Sequence, residues 1–156
     1  MFRVSAIPIA EVPNYWPLVK HFFEILVARN PETMSIEVLE ERLVEGDYIL
    51  IILTEGSEIK LALTADVVNT DSGKRILEFP HFCGTDMDKW LPVLMDNMAD
   101  LAKDFECWAV RTVHSRLGMG KTLKQYGGKV TSVTVEFNVA ECFDKVKDIS
   151  RRQINQ

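Results

Sequence analysis

Apolar and polar residues alternate at the start of the chain, with Phe2, Val4 and Ala6 set against Arg3 and Ser5. A period of two predicts a short first strand, which Pro8 and Pro13 bring to an end. The period then lengthens. Trp16, Val19, Phe22, Phe23 and Leu26 recur at helical spacing, so a helix capped by Asn14 and stopped at Asn30-Pro31 is expected. Its aromatic stripe belongs to a core, because aromatics bury so much apolar area. A second helix follows Ser35 as its cap, with Ile36, Leu39 and Leu43 inward and Gly46 as its stop. Glu37, Glu40 and Glu41 form its solvated face.

Tyr48 to Thr54 is almost continuously apolar and β-branched, the mark of a strand covered on both faces. Glu55 to Glu58 turns it back into a second strand, Ile59 to Val68, which makes an antiparallel hairpin. After a turn at Asn69 to Gly73, Arg75 to Phe82 completes a three-strand meander. Strict alternation puts Ile76, Glu78, Pro80 and Phe82 on one side of it and Leu77, Phe79 and His81 on the other. Pro80 has no N–H for a ladder, so the strand is bulged, splayed or at an edge there. A third helix carries Trp90, Leu94, Met98 and Leu101, and is expected to start near Asp86 or Asp88 so that Pro92 falls in its first turn. Cys107 to Val113 is then a strand parallel to or beside Arg75 to Phe82. A glycine-containing loop, a short helix from Lys121 to Tyr126 stopped by Gly127-Gly128, and a strand from Val130 to Val139 follow. Residues 1–139 read as a single domain and 140–156 as a tail or docking helix. Trp16, Phe22, Leu26, Ile51, Leu77, Leu94, Met98 and Val110 are the expected core.

Composition narrows the class. A chain of 156 residues, 47% hydrophobic and 26% charged, can bury one ordinary core. The net charge of −5 is interspersed, so no basic face for nucleic acid is implied. Three cysteines, at 83, 107 and 142, fit neither a disulfide framework nor a metal-ligand spacing, and read as reduced thiols in a cytoplasm. No run of residues reaches the length of a membrane span, and Met1 to Ala10 lacks a signal-peptide layout, so a soluble intracellular protein is expected.

The stretch from Lys74 to Phe105, strand then loop then helix, is where the chemistry is best sought. Free backbone N–H groups and the positive end of a helix dipole meet at such a crossover. His81 is a candidate base there, since an imidazole is the side chain suited to that work near neutral pH. A second glycine loop, Arg116-Leu117-Gly118-Met119-Gly120-Lys121, suits an anion through Arg116 and Lys121, although a glycine-permitted strand-to-helix turn is the favoured reading of it, since glycine pairs mark turns.

The order of strand, two helices, antiparallel meander, helix, strand, short helix and strand resembles the GNAT N-acetyltransferase fold over roughly Arg3 to Val139. The Trp90 helix, its join to the next strand, and the loop and helix ending in Tyr126-Gly127-Gly128 are similar to GNAT-like proteins encoded by bacteriophages. The resemblance implies an α/β fold: a mixed central sheet of about six strands with helices on both faces. It also implies acetyl-CoA as cofactor, with its pyrophosphate held by the loop after the fourth strand, here His81 to Asp88. One glycine of the family's motif is present, so Gly84 and Thr85 are the cofactor-binding candidates there. The second loop adds Arg116, Gly118, Gly120 and Lys121. Asp86 and Asp88 depart from the motif, since negative charge opposes a phosphate. Glu78 occupies the strand where these enzymes hold a general base, and His81 is the second catalytic candidate. The family's tyrosine acid has no counterpart, for its place falls on Leu123 or Lys124.

Two functions follow. One is an acyl-CoA-dependent N-acetyltransferase acting on a small amine or a protein amine. The other is a GNAT fold kept without catalysis, a packing module among other virion proteins of a phage, located in the host cytoplasm or the virion. Neither invokes a metal, nucleic acid or membrane, and both are compatible with a homo-oligomer.

Overall fold

A computed structural model of the chain describes residues 1–84, 86–112, 121, 123–132 and 148–155. Two compact units divide it, Met1–Ser115 and Arg116–Gln156. The expected boundary at 139 and 140 lies outside the described residues.

In the first unit, β1 (Phe2–Ile7) leads through a 3-10 turn (Ile9–Glu11) into α1 (Val12–Arg29) and α2 (Ile36–Glu45). The meander β2 (Ile49–Glu55), β3 (Glu58–Asn69) and β4 (Arg75–Gly84) follows, then α3 (Met87–Asp104) and β5 (Ala109–Thr112). The strands form one five-stranded sheet in the order β1-β2-β3-β4-β5. Every pairing is antiparallel except β4 with β5, which the α3 crossover makes parallel. The mixed sheet with helices on both faces is as the sequence led us to expect. Its described strands number five rather than about six, because Val130 to Ser132 lie in no strand and 133–139 lie outside the described residues.

Each face of the sheet has its own core. Trp16, Val19, Phe22 and Phe23 of α1 and Leu39 and Leu43 of α2 pack on Leu50, Ile52, Ala62 and Cys83. Trp90, Leu94 and Met98 of α3 pack on Ile51, Leu53, Leu61, Leu63, Leu77 and Phe79. This two-sided burial is why β2 reads as an unbroken apolar run. Six of the eight expected core residues are buried, whereas Leu26 and Val110 are only partly so.

The ends of the helices show which local signals hold. Ser35 accepts from the Val38 N–H at 3.4 Å, and Gly46 closes α2 with a left-handed φ of 84°. Asn14 does not cap α1. The helix begins at Val12, and Asn14 instead donates to Glu11 Oε2 at 3.1 Å from within the first turn. Pro13, near the helix start, satisfies the rule that favours proline where an N–H has no partner anyway, so the chain turns helical earlier. Pro92 is a second correction. With α3 starting at Met87, Pro92 lies in the second turn, where the missing N–H leaves the Asp88 carbonyl without its helical donor.

In the second unit, residues 121, 123 and 124 are helical, and Gly128 N–H and Gly127 N–H bond back to the carbonyls of Leu123 and Lys124. That paired closure, with Gly127 at φ 85°, is the helix stop expected of Gly127-Gly128. Residues 148–154 are helical. Among the described residues no helix is long and apolar enough to cross a membrane.

Candidate active site

The register of β3 against β4 slips once. Leu63 faces Phe82 and Thr64 faces His81, but Asp66 faces Glu78, so Phe79 and Pro80 together oppose Ala65 alone. This is a β-bulge. Pro80 cannot donate to the ladder, and the displaced His81 N–H is taken up by the Thr64 hydroxyl oxygen at 3.1 Å. The same hydroxyl lies 2.7 Å from His81 Nδ1, which lets Thr64, though fully buried, satisfy its polar atom.

An extra residue in a strand inverts the alternation beyond it. Leu77 and Phe79 pack under α3, and so does Phe82, while Cys83 belongs to the core under α1 and α2. Simple alternation had separated Glu78 from His81 and grouped His81 with Leu77 and Phe79. The bulge corrects that reading: Glu78 and His81 lie on the same face, the one under α1 and α2.

Around them runs a polar band across the sheet. Glu78 faces Arg111 on β5, whose Nε donates to Glu78 Oε2 at 2.8 Å and whose Nη2 donates to the same oxygen. On β3, Asp66 faces Glu78 directly. Burial raises the Asp66 carboxyl above the usual aspartate range; a backbone bond from Val67 opposes this, and the charges of Glu78 and Asp47 add to it. Gly46 ends α2 so that Asp47 and Tyr48 enter the band beside β2. The Tyr48 ring meets the His81 ring edge-on at 5.5 Å, and Arg42 donates to the Tyr48 hydroxyl at 2.9 Å. Of these residues the sequence had singled out only Glu78 and His81. Asp66 is the one charge between Leu61 and Val68, and Arg111 the one charge of β5, but neither shows a partner until the strands are paired.

The cofactor candidates fare differently. Gly84 is the last residue of β4 and faces Leu61 in the ladder. A Cβ there would collide with Leu61 Cδ1 and lie 3.2 Å from the Lys60 carbonyl oxygen, so the glycine answers to strand packing. Thr85, Arg116, Gly118 and Gly120 lie outside the described residues, and Lys121 is helical and exposed in the second unit.

A pyrophosphate-bearing cofactor such as acetyl-CoA fits this junction through its backbone. The amino end of α3 stands directly beyond β4, entered through Asp86 in a left-handed conformation (φ 55°, ψ 46°) with no side-chain cap. Beside Gly84 a cleft of about 170 Å³ opens between α1 and the end of β4, apolar through Phe22, Ile25 and Leu26, with Arg29 as its cation. Among the described residues the registered pairs between β4 and β5 run from Ile76 and Ala109 to Phe79 and Thr112. Helix end, cleft and Arg29 would hold the group, with Asp86 and Asp88 opposing its charge. Cys83, at the cleft wall, is no nucleophile, since burial pushes its thiol up to about 12. Among the described residues no three His, Cys, Asp or Glu side chains come together as metal ligands.

No protein-family model matches the chain, and no curated protein matches its sequence. Solved structures do match it in three dimensions. A ribosomal-protein-alanine N-acetyltransferase from Brucella melitensis biovar Abortus 2308 superposes with a TM-score of 0.63 at 13% identity, covering 88% of this chain and 100% of that one. An aminoglycoside acetyltransferase from an uncultured soil metagenomic sample gives 0.62 at 13% identity, covering 88% and 95%. A protein from Clostridium acetobutylicum, described as a predicted acetyltransferase and solved with acetyl-CoA, gives 0.61 at 17% identity, covering 90% and 98%. The chain has the GNAT acetyltransferase fold.

Proposed function

We propose that the protein is an acyl-CoA-dependent N-acetyltransferase that moves an acetyl group from acetyl-CoA to a primary amine, on a small molecule or a protein. The observation that carries this reading is the convergence of Asp66, Glu78, His81 and Arg111 on one sheet face, produced by the bulge in the strand that leads into α3. Bound acetyl-CoA supplies an acyl group activated as a thioester. The chain's own task is to hold a cationic amine, remove its proton and orient its lone pair. Asp66 facing Glu78, with the charge of Asp47 acting on Asp66, gives an excess of negative charge that suits a cation. Amine acceptors are also what the names of two similar structures specify, an aminoglycoside and a ribosomal-protein alanine.

Calorimetric titration with acetyl-CoA, followed by a thiol-release assay over a panel of amines, tests the proposal. Saturable heat and turnover of at least one amine are expected. No heat at about millimolar acetyl-CoA, and no turnover, would refute it, because a ligand that binds must also stabilise by RT ln(1 + [L]/Kd). One observation favours a second reading, the fold kept without catalysis, for which phage virion proteins are the partners proposed. The glycine of the phosphate loop is already accounted for by Leu61, and the loop carries carboxylates. Under that reading the same titration is silent, and the protein is recovered in stoichiometric association with other virion proteins.

A further inference from the structure

We propose that Asp66, and not Glu78, is the group that takes the proton from the acceptor amine, with Glu78 a positioning residue fixed by Arg111. This rests on the acetyltransferase reading and adds to it the identity of the base, which moves from β4 to β3.

The asymmetry between the two carboxylates is geometric. Two nitrogens of Arg111, Nε and Nη2, donate to the same Glu78 Oε2, and the Glu78 side chain is only 19% exposed. Charge-assisted pairs of this kind are the strong ones, so Arg111 holds the Glu78 carboxylate in place. Asp66 sits directly across the ladder, where facing residues have Cβ atoms about 4.5 to 5.5 Å apart. It faces Glu78 on β4, with Arg111 beyond Glu78 on β5, Asp47 acting on it from the segment ahead of β2, and His81 on the same sheet face but across from Thr64. The cation among these is committed to Glu78, and His81 is bound through Nδ1 to Thr64. Half-buried and facing two other carboxylates, Asp66 holds a proton more readily than an ordinary aspartate, the direction that general-base work near neutral pH requires.

The proton balance is simple. An incoming ammonium, R–NH3+, gives one proton to the Asp66 carboxylate and becomes R–NH2. Its lone pair forms the C–N bond to the thioester carbon, and the C–S bond breaks with its electrons on sulfur. Sulfur takes the second amine proton, leaving an amide and a thiol, and Asp66 returns its proton to water. Glu78, paired with Arg111, stays beside Asp66 as the carboxylate that favours both the arriving cation and the protonated form of its neighbour.

Two measurements test this, one of them independent of turnover. The 13Cγ resonance of Asp66, followed against pH in the full chain, should titrate above the ordinary aspartate range and move back down in Glu78→Gln. In the thiol-release assay, Asp66→Asn should lower kcat/KM by roughly 10²- to 10⁴-fold and abolish the acid limb of its pH profile. Glu78→Gln should keep that limb, moved to lower pH, with a smaller loss. An Asp66 resonance titrating in the ordinary range, or an Asp66→Asn variant within a few-fold of the parent, overturns the proposal while leaving an active parent an acetyltransferase. A parent that turns over no amine overturns the acetyltransferase reading and this proposal with it.

Discussion

Replacing Gly84 with alanine separates two explanations of the glycine beyond the bulge. If it is there to let backbone approach a phosphate, the substitution leaves the fold alone and weakens acetyl-CoA binding. The structure gives the opposite expectation. The new Cβ would overlap Leu61 Cδ1 and press to 3.2 Å on the Lys60 carbonyl, and Leu61 is fully buried among Trp90 and its neighbours, with nowhere to move. Overpacking of this kind costs about 1 to 3 kcal/mol. For a chain of this size each kcal/mol lowers the melting temperature by about 2 to 4 °C, so a fall of roughly 2 to 12 °C is expected. Leu61→Val removes the clashing Cδ1 and should itself cost about 1 kcal/mol. The two substitutions then compensate: the double variant should be more stable than additivity predicts by at least about 0.5 kcal/mol. Chemical denaturation of the four proteins measures it. A Gly84→Ala protein as stable as the parent, or additive with Leu61→Val, would refute the packing argument.

The elements that could be read in the sequence are those whose signal is local. Ser35 and Gly46 bracket α2 because a side-chain oxygen and a left-handed residue act within one helical turn. The meander and the parallel return of β5 followed from apolar period and from the length of the α3 crossover. Pro80 marked the irregular point in β4, but its consequence could not be read there. Whether a proline causes a bulge, and on which strand the extra residue sits, depends on the partner strand; here Thr64, 16 residues earlier, supplies the hydroxyl that satisfies the His81 N–H. That one slip decides whether Glu78 and His81 share a face. Arg111 and Asp66 were likewise hidden, since a lone charge in a strand becomes meaningful only when its cross-strand partner is known. Gly84 shows the reverse error: a glycine at the place of a phosphate motif is held by the packing of Leu61.

Three further substitutions test the site and its frame. Arg111→Met should destabilise by about 1 to 2 kcal/mol, between the value of an exposed pair and that of a buried one, because Arg111 is 40% exposed while Glu78 is largely covered. Combining it with Glu78→Gln should recover part of that loss in a denaturation experiment, and full additivity would contradict the pairing. Gly46→Ala forces a left-handed residue to carry a Cβ 2.7 Å from Ile9 Cδ1, and should cost more than the roughly 1 kcal/mol of an unstrained glycine exchange. Unchanged melting would show that α2 ends otherwise. Asp66→Asn should stabilise the protein, and the gain should depend on pH. The folded state holds the Asp66 proton more tightly than the unfolded chain, so below the ordinary aspartate pKa of about 3.9 both states are protonated and the substitution changes little. As pH rises above that value the unfolded chain ionises first and binds fewer protons, so the parent loses stability until Asp66 ionises in the fold as well. Asparagine removes this loss while keeping an oxygen for the Val67 N–H. The difference in unfolding free energy should therefore grow from near zero at about pH 3.5 to a plateau at neutral pH, favouring the variant throughout. A variant less stable at pH 7, or one equally stabilised at pH 3.5, would refute the reasoning. A stabilised Asp66→Asn protein that has lost its turnover would show a carboxylate retained at a cost to the fold, as a general base in a half-buried site must be.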